Sequence, residues 1–122
     1  MVSLKAVGLA ALVTAALPAA VYAGLAVTTT DVNVRAGPSQ DYPVVARGMR
    51  GVTISVEGCL SNYTWCDVTV GPNRGWVYAS NLVSTYQGSS VPVLTYGSAL
   101  GIGVVSFAVG NYWDSYYRGR PW

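Results

Sequence analysis

The middle of the chain consists of short segments that alternate apolar and polar residues, and this pattern limits the fold more than any other feature. In VTISVE, the side chains of Val52, Ile54 and Val56 share one face, and VNVR and WCDVTV show the same period of two. Gly37-Pro38 and the segment GPNRG break the chain between these strands. About sixty residues of short strands, 25–84, must close their sheet or expose its edges, which favours a small β-barrel.

The first residues have the composition of a secretory signal peptide. Lys5 precedes an apolar run from Ala6 to Leu17, and Val21 and Ala23 stand where signal peptidase reads small residues. An uncleaved anchor is the alternative, but the run is shorter than the roughly 20 residues of a membrane span. The sequence thus predicts a signal peptide (1–23), a β-domain (24–84), a linker (85–92) and a C-terminal aromatic extension (93–122).

The side-chain inventory excludes several classes of enzyme and of partner. The chain has no histidine, and its one lysine lies in the predicted signal peptide, so it cannot form a Ser-His, Cys-His or Ser-Lys pair. After cleavage, six arginines minus five carboxylates leave a net charge of +1, too weak for a nucleic-acid footprint. A carboxylate pair for glycoside hydrolysis is not excluded, but the acidic residues are scattered over loops.

Cys59 and Cys66 are the only cysteines, and three roles are open to them: nucleophile, metal ligand or disulfide. No histidine is present to lower the pKa of a thiol, and two cysteines fall short of the usual zinc-binding sets. In a secreted chain, two cysteines on adjoining strands favour a disulfide. Cys59 has the opposite parity to Val56 and Cys66, so we also predict an irregularity at Gly58 that corrects the register.

Three ordered motifs resemble the bacterial SH3 (SH3b) domain: NVRAGP, then WCDV, then RGWVYASNL. The resemblance covers roughly residues 29–83 and implies an all-β, SH3-like barrel of five or six short strands. It also implies a non-catalytic, secreted or periplasmic module that binds a cell-envelope component, either peptidoglycan or an envelope protein, without a cofactor or a metal. The predicted core comprises Val32, Val34, Val56, Val68 and Val77.

Exposed aromatic residues near the long loop and the cysteine hairpin are the predicted ligand-binding residues. Aromatic faces stack on sugar rings or peptide bonds and supply affinity there. The candidate set is Arg35, Tyr42, Tyr63, Trp65 and Tyr78.

The C-terminal extension, 93–122, has three interpretations. Its uncharged Gly-rich stretch could be a short transmembrane segment, an extra β-hairpin packed on the barrel, or a disordered tail, and the β-branched run VVSFAV favours the hairpin. The aromatic residues beside Arg118 and Arg120 suit a glycan, an anionic polymer or a protein partner, and the equally weighted alternative is that they cover the open face of the barrel. The alternative function is therefore a protein–protein adaptor that touches the membrane through this extension, although membrane contact is not favoured.

Overall fold

A computed structural model describes residues 24–121, so the predicted signal peptide lies outside the described residues. The described chain contains eight strands, a 3₁₀ turn and two helices. The strands are β1 (Gly24–Thr28), β2 (Val32–Arg35), β3 (Val44–Gly48), β4 (Thr53–Cys59), β5 (Trp65–Val70), β6 (Asn73–Tyr78), β7 (Leu82–Tyr86) and β8 (Ser89–Pro92). The 3₁₀ turn is Ala79–Asn81, and the helices are α1 (Val93–Tyr96) and α2 (Val109–Tyr116).

All eight strands form one antiparallel sheet in the order β3-β2-β6-β5-β4-β1-β7-β8. The all-β, SH3-like fold predicted from the sequence is confirmed, but the closed barrel is not, because no hydrogen-bonded ladder joins β3 to β8 among residues 24–121. Side chains close the core instead. Residues from β2, β4, β5, β6 and β7 meet in one apolar cluster, which means that the sheet wraps around a shared interior.

The alternation of apolar and polar residues in the sequence predicts the buried residues correctly. All five predicted core valines, Val32, Val34, Val56, Val68 and Val77, are at most 3% exposed. Thr28 is one of two buried polar residues among those described, with Asp67 the other, and its hydroxyl makes two hydrogen bonds. It donates to the carbonyl of Met49 at 2.6 Å and accepts the Val52 N–H at 3.0 Å, which fixes the turn between β3 and β4.

Residues 85–92, which the sequence assigns to a linker, instead complete a hairpin, and this raises the strand count above the expected five or six. Strands β7 and β8 pair from Val83↔Pro92 to Tyr86↔Ser89. Gln87 and Gly88 form the two-residue turn, both with positive φ (50° and 85°). Such a turn matches the twist of the flanking strands, and it needs glycine or a residue that tolerates the left-handed region.

The predicted disulfide and the predicted irregularity are both confirmed. Cys59 and Cys66 are bonded at 2.04 Å, with 4.0 Å between their Cα atoms. The β4–β5 register runs Val56↔Val68 and then shifts to Gly58↔Asp67, so Glu57 is the extra residue of a bulge. That single insertion turns Cys59 to the face of Cys66.

The C-terminal extension forms helices, and the extra hairpin predicted for it is wrong. Among the described residues of the extension, only Val104 makes a β contact, a parallel bridge to Cys59, while residues 109–116 form α2. The run VVSFAV therefore forms no hairpin and lies mostly before α2, and the helix places Tyr112 and Tyr116, one turn apart, over the sheet. At the other end of the extension, Val93 of α1 is fully buried in the core.

The disulfide should contribute about 2–3 kcal/mol to the free energy of unfolding, because it closes a short loop in the unfolded chain. Urea unfolding of the oxidised and the reduced protein measures this difference. The double variant Cys59→Ala/Cys66→Ala is the control, and its unfolding midpoint should not respond to reductant. Equal stability of the oxidised and reduced wild-type protein would contradict the assignment.

Candidate ligand-binding site

One face of the β5–β6 ribbon carries the chemically distinctive side chains. Trp65 pairs with Tyr78 and Asp67 pairs with Trp76 along the antiparallel ladder. Because side chains two residues apart point to the same side of a strand, these two rungs share a face. The Trp65 and Tyr78 rings lie 5.4 Å apart between centroids, tilted by 57°, and Tyr78 is 43% exposed. This rung is therefore an open aromatic pair.

The loop between β2 and β3, residues 36–43, forms one wall beside the aromatic pair. The Arg35 guanidinium donates to the carbonyls of Gln40 at 3.1 Å and Tyr42 at 2.9 Å. Arg35 thus holds the loop in place. Gly37 is required here, because a Cβ would lie 2.6 Å from the Tyr42 ring.

Two adjoining depressions, of about 160 and 490 Å³, flank Trp65 and Tyr78. Amides, carboxylates and a hydroxyl surround the two rings, from Asp31, Asn33, Ser39, Gln40, Asp41 and Asn81. Aromatic faces ringed by such groups can stack against the C–H face of a sugar or a flat amide and hydrogen-bond its polar substituents. The arrangement suits a polar ligand.

The structure brings Arg35, Trp65 and Tyr78 together but directs the other two predicted residues elsewhere. Tyr42 packs edge-on against Phe107, with ring centroids 5.5 Å apart. Tyr63 adopts a positive φ of 57°, and its hydroxyl donates to the carbonyl of Ile102 at 2.8 Å. Both tyrosines hold the C-terminal extension against the domain.

Sequence reasoning missed the polar residues that complete the rim of the site. Gln40 and Asp41 lie in the loop that begins at Gly37-Pro38, and Asn81 closes the turn after β6. The segment ASNL contains a signal for Asn81, since asparagine is favoured in turns. The loop residues carried no periodicity that could have placed them.

The extension covers the next rungs of the same face. Asp67 is 6% exposed and accepts two hydrogen bonds from Arg74, both at 2.8 Å, and a third from the Tyr112 hydroxyl at 2.6 Å. The Arg74 guanidinium lies 4.3 Å from the centre of the Tyr116 ring. Tyr117 donates to the carbonyl of Arg74 at 2.6 Å. This cluster fastens α2 to the sheet and compensates the buried carboxylate.

The same contacts shift the titration of the groups in the cluster. Burial, followed by the hydrogen bond to Asp67, raises the pKa of the Tyr112 phenol far above its ordinary value. Burial raises the pKa of Tyr117 to about 12. The hydrogen bonds to Asp67 raise the pKa of Arg74, which keeps this ion pair charged.

Two further observations bear on function. Within residues 24–121, no three or more His, Cys, Asp and Glu side chains cluster as metal ligands would. No helix in this part of the chain is both long and apolar enough to cross a bilayer.

In the comparison with protein families, the family model of the bacterial SH3 domain aligns with residues 30–83. The matched region runs from the turn before β2 to the start of β7 and contains Arg35, Trp65 and Tyr78. No curated protein and no solved structure matches the chain. The extension that carries Tyr112 and Tyr117 lies beyond the matched region.

Tyr112→Phe should lower the free energy of unfolding by about 1–3 kcal/mol, because a buried carboxylate oxygen of Asp67 loses a donor. Urea unfolding measures the change. Tyr96→Phe removes a hydroxyl that has no hydrogen-bond partner among the described residues, and this control should change stability by less than about 0.5 kcal/mol. Equal losses in the two variants would contradict the role of the Tyr112 hydroxyl.

Stability should also fall as the pH rises above about 10. The folded protein raises the pKa values of Tyr112 and Tyr117, whereas the unfolded chain ionises both near the ordinary value of about 10. The stabilisation is therefore complete below pH 10 and is lost at about 1.4 kcal/mol per pH unit for each tyrosine above it. Unfolding measured between pH 9 and about 12 should show a shallower decline for Tyr112→Phe than for the wild type. Identical slopes would show that Tyr112 ionises equally in both states.

Proposed function

Because residues 30–83 form a bacterial SH3 domain, we propose that the Trp65–Tyr78 surface binds a component of the bacterial cell envelope, with peptidoglycan as the leading ligand. Domains of this family are commonly non-catalytic modules that bind the cell wall. The proposal assigns that general role to a particular surface of this chain.

The pair of aromatic rings, half-buried Trp65 and exposed Tyr78 centred 5.4 Å apart in a rim of amides and carboxylates, is the observation that carries the proposal. The rings offer stacking surface at a low entropy cost, since both are held on paired strands and not on a mobile loop. Gln40, Asn33 and Asn81 supply donors and acceptors that fit the hydroxyl and acetamido groups of a glycan.

Arg35 has a positioning role in this proposal. Its guanidinium is engaged by two loop carbonyls, so it fixes the wall that carries Pro38 and Gln40 beside the rings. Loss of the Arg35 side chain would therefore loosen the loop as well as remove a charge.

The proposed activity is binding without chemical change. The chain has no histidine, and its two cysteines are joined in a disulfide, so neither a Cys nor a Ser nucleophile has an imidazole base. The disulfide also fits an oxidising compartment, which supports a secreted or periplasmic location.

Trp65→Ala and Tyr78→Ala should each weaken retention on purified, insoluble peptidoglycan by about tenfold or more, as expected for a central aromatic contact worth about 2 kcal/mol. A sedimentation assay with increasing amounts of peptidoglycan measures this. Tyr86→Ala is the matched control, because Tyr86 lies on β7 and its ring contacts Tyr96, away from the site. Its retention should stay within about twofold of the wild type.

Two results would refute the proposal. One is failure of the folded wild-type protein to sediment with peptidoglycan. The other is equal retention of Trp65→Ala, Tyr78→Ala and Tyr86→Ala.

A further inference from the structure

The segment 103–107 of the C-terminal extension lies beside the end of β4 and pairs with it through a single β-bridge, so its other edge is unused. Cys59 donates its N–H to the carbonyl of Gly103 at 3.0 Å, and Val105 donates its N–H to the carbonyl of Cys59 at 2.9 Å. These bonds define the parallel bridge between Cys59 and Val104. They occupy one edge of the segment only.

The other edge carries backbone groups without partners. Successive residues of an extended chain direct their N–H and C=O groups to opposite edges, so those of Val104 and Ser106 point away from β4. Neither residue makes a backbone hydrogen bond to any other residue within 24–121. Val104 is also 58% exposed. An edge of this kind is a template for another extended chain.

A groove of about 660 Å³ borders this segment. Its apolar lining comes from Pro38, Leu60 and Phe107, with Val104 and Val105 from the segment itself. Ser61, Asn62 and Ser106 provide its polar groups, and no lining residue is charged. A charged side chain would lose hydration there without gaining a partner, so the lining selects against charged ligands.

The groove adjoins the Trp65–Tyr78 site, because Pro38 lines both. The two sites nevertheless differ in chemistry. The depressions around Trp65 are bordered by Asp31, Arg35 and Asp41, whereas the groove at the extension has neutral walls. The groove also depends on residues 104–107, which lie outside the region matched by the bacterial SH3 family.

We propose that this edge and groove form a second binding site, which takes an uncharged peptide in extended conformation. The peptide backbone pairs with the free N–H and C=O groups of Val104 and Ser106, and alternate apolar side chains enter the groove against Leu60 and Phe107. Strand addition of this kind draws its affinity from main-chain hydrogen bonds and its selectivity from side-chain pockets. The site stands whether or not the Trp65–Tyr78 surface binds the envelope.

Titration of the ¹⁵N-labelled, oxidised protein with acetyl-Val-Ser-Val-Ser-Val-amide tests the proposal. The amide resonances of Val104 and Ser106 should shift and exchange more slowly with solvent, since both groups gain partners. The same peptide with its central Val replaced by Pro, or by Asp, should bind about tenfold more weakly or not at all.

Variants of the protein locate the site. Val104→Asp places a charge in the groove, and Ser106→Pro removes a free N–H, so each should weaken peptide binding by about tenfold. Val109→Asp is the matched control, with a similarly exposed valine on α2 outside the groove lining, and it should bind within about twofold of the wild type. Trp65→Ala should also leave peptide binding unchanged, which separates this site from the glycan surface.

Four results would overturn the proposal. The first is an absence of shifts at millimolar peptide, and the second is shifts confined to residues around Trp65. The third is the same shifts produced by a tetramer of β-1,4-linked N-acetylglucosamine, which would make the groove a glycan site. The fourth is the same shifts on raising the protein concentration alone, which would assign the edge to a second copy of the chain.

Discussion

The bulge at Glu57 and Gly58 is the constraint on which the remaining structure depends. One extra residue changes the side of the sheet to which the side chains at the end of β4 point. This change brings Cys59 opposite Cys66. The backbone N–H and C=O of Cys59 then bond to Gly103 and Val105, away from β5, and the 4.0 Å between the two cysteine Cα atoms fits a non-hydrogen-bonded pair. Gly58 must lack a side chain, because a Cβ there would lie 2.5 Å from Val105. The same bulge therefore accounts for the disulfide and for the docking of the extension against β4.

The docked extension in turn decides how much of the β5–β6 face remains open. The first rung, Trp65 with Tyr78, stays accessible, whereas the second, Asp67 with Trp76, is covered by α2 and its tyrosines. Asp67 stabilises the helix in this position, because its carboxylate accepts hydrogen bonds from both Arg74 and Tyr112. A buried carboxylate without those donors would be costly. The helix thus limits the aromatic face to a single open rung.

The sequence predicted the parts of the fold that follow from local pattern. Alternation identified the core valines, and the parity of Cys59 predicted the bulge, because both arguments need only the period of a strand. The Gln87-Gly88 turn was missed, since Gln is a weaker turn signal than Asn or Asp before Gly. The helix α2 was missed for a different reason. Its position depends on Asp67 and Arg74, about forty residues earlier in the chain, and the local pattern of residues 109–116 carries no information about them.

The candidate site shows the same division between local and long-range information. Trp65 and Tyr78 lie together because a two-residue turn at Gly71 and Pro72 fixes the register of their strands, a register that the sequence, with its break across GPNRG, did not specify. Tyr42 and Tyr63 appeared equally suitable in the sequence, but their partners, Phe107 and Ile102, belong to the extension. An aromatic residue is available to a ligand only when no other part of the chain covers it. In this protein the extension covers Tyr42 and Tyr63, leaves the rung of Trp65 and Tyr78 open, and contributes the strand edge at Val104 and Ser106 beside it.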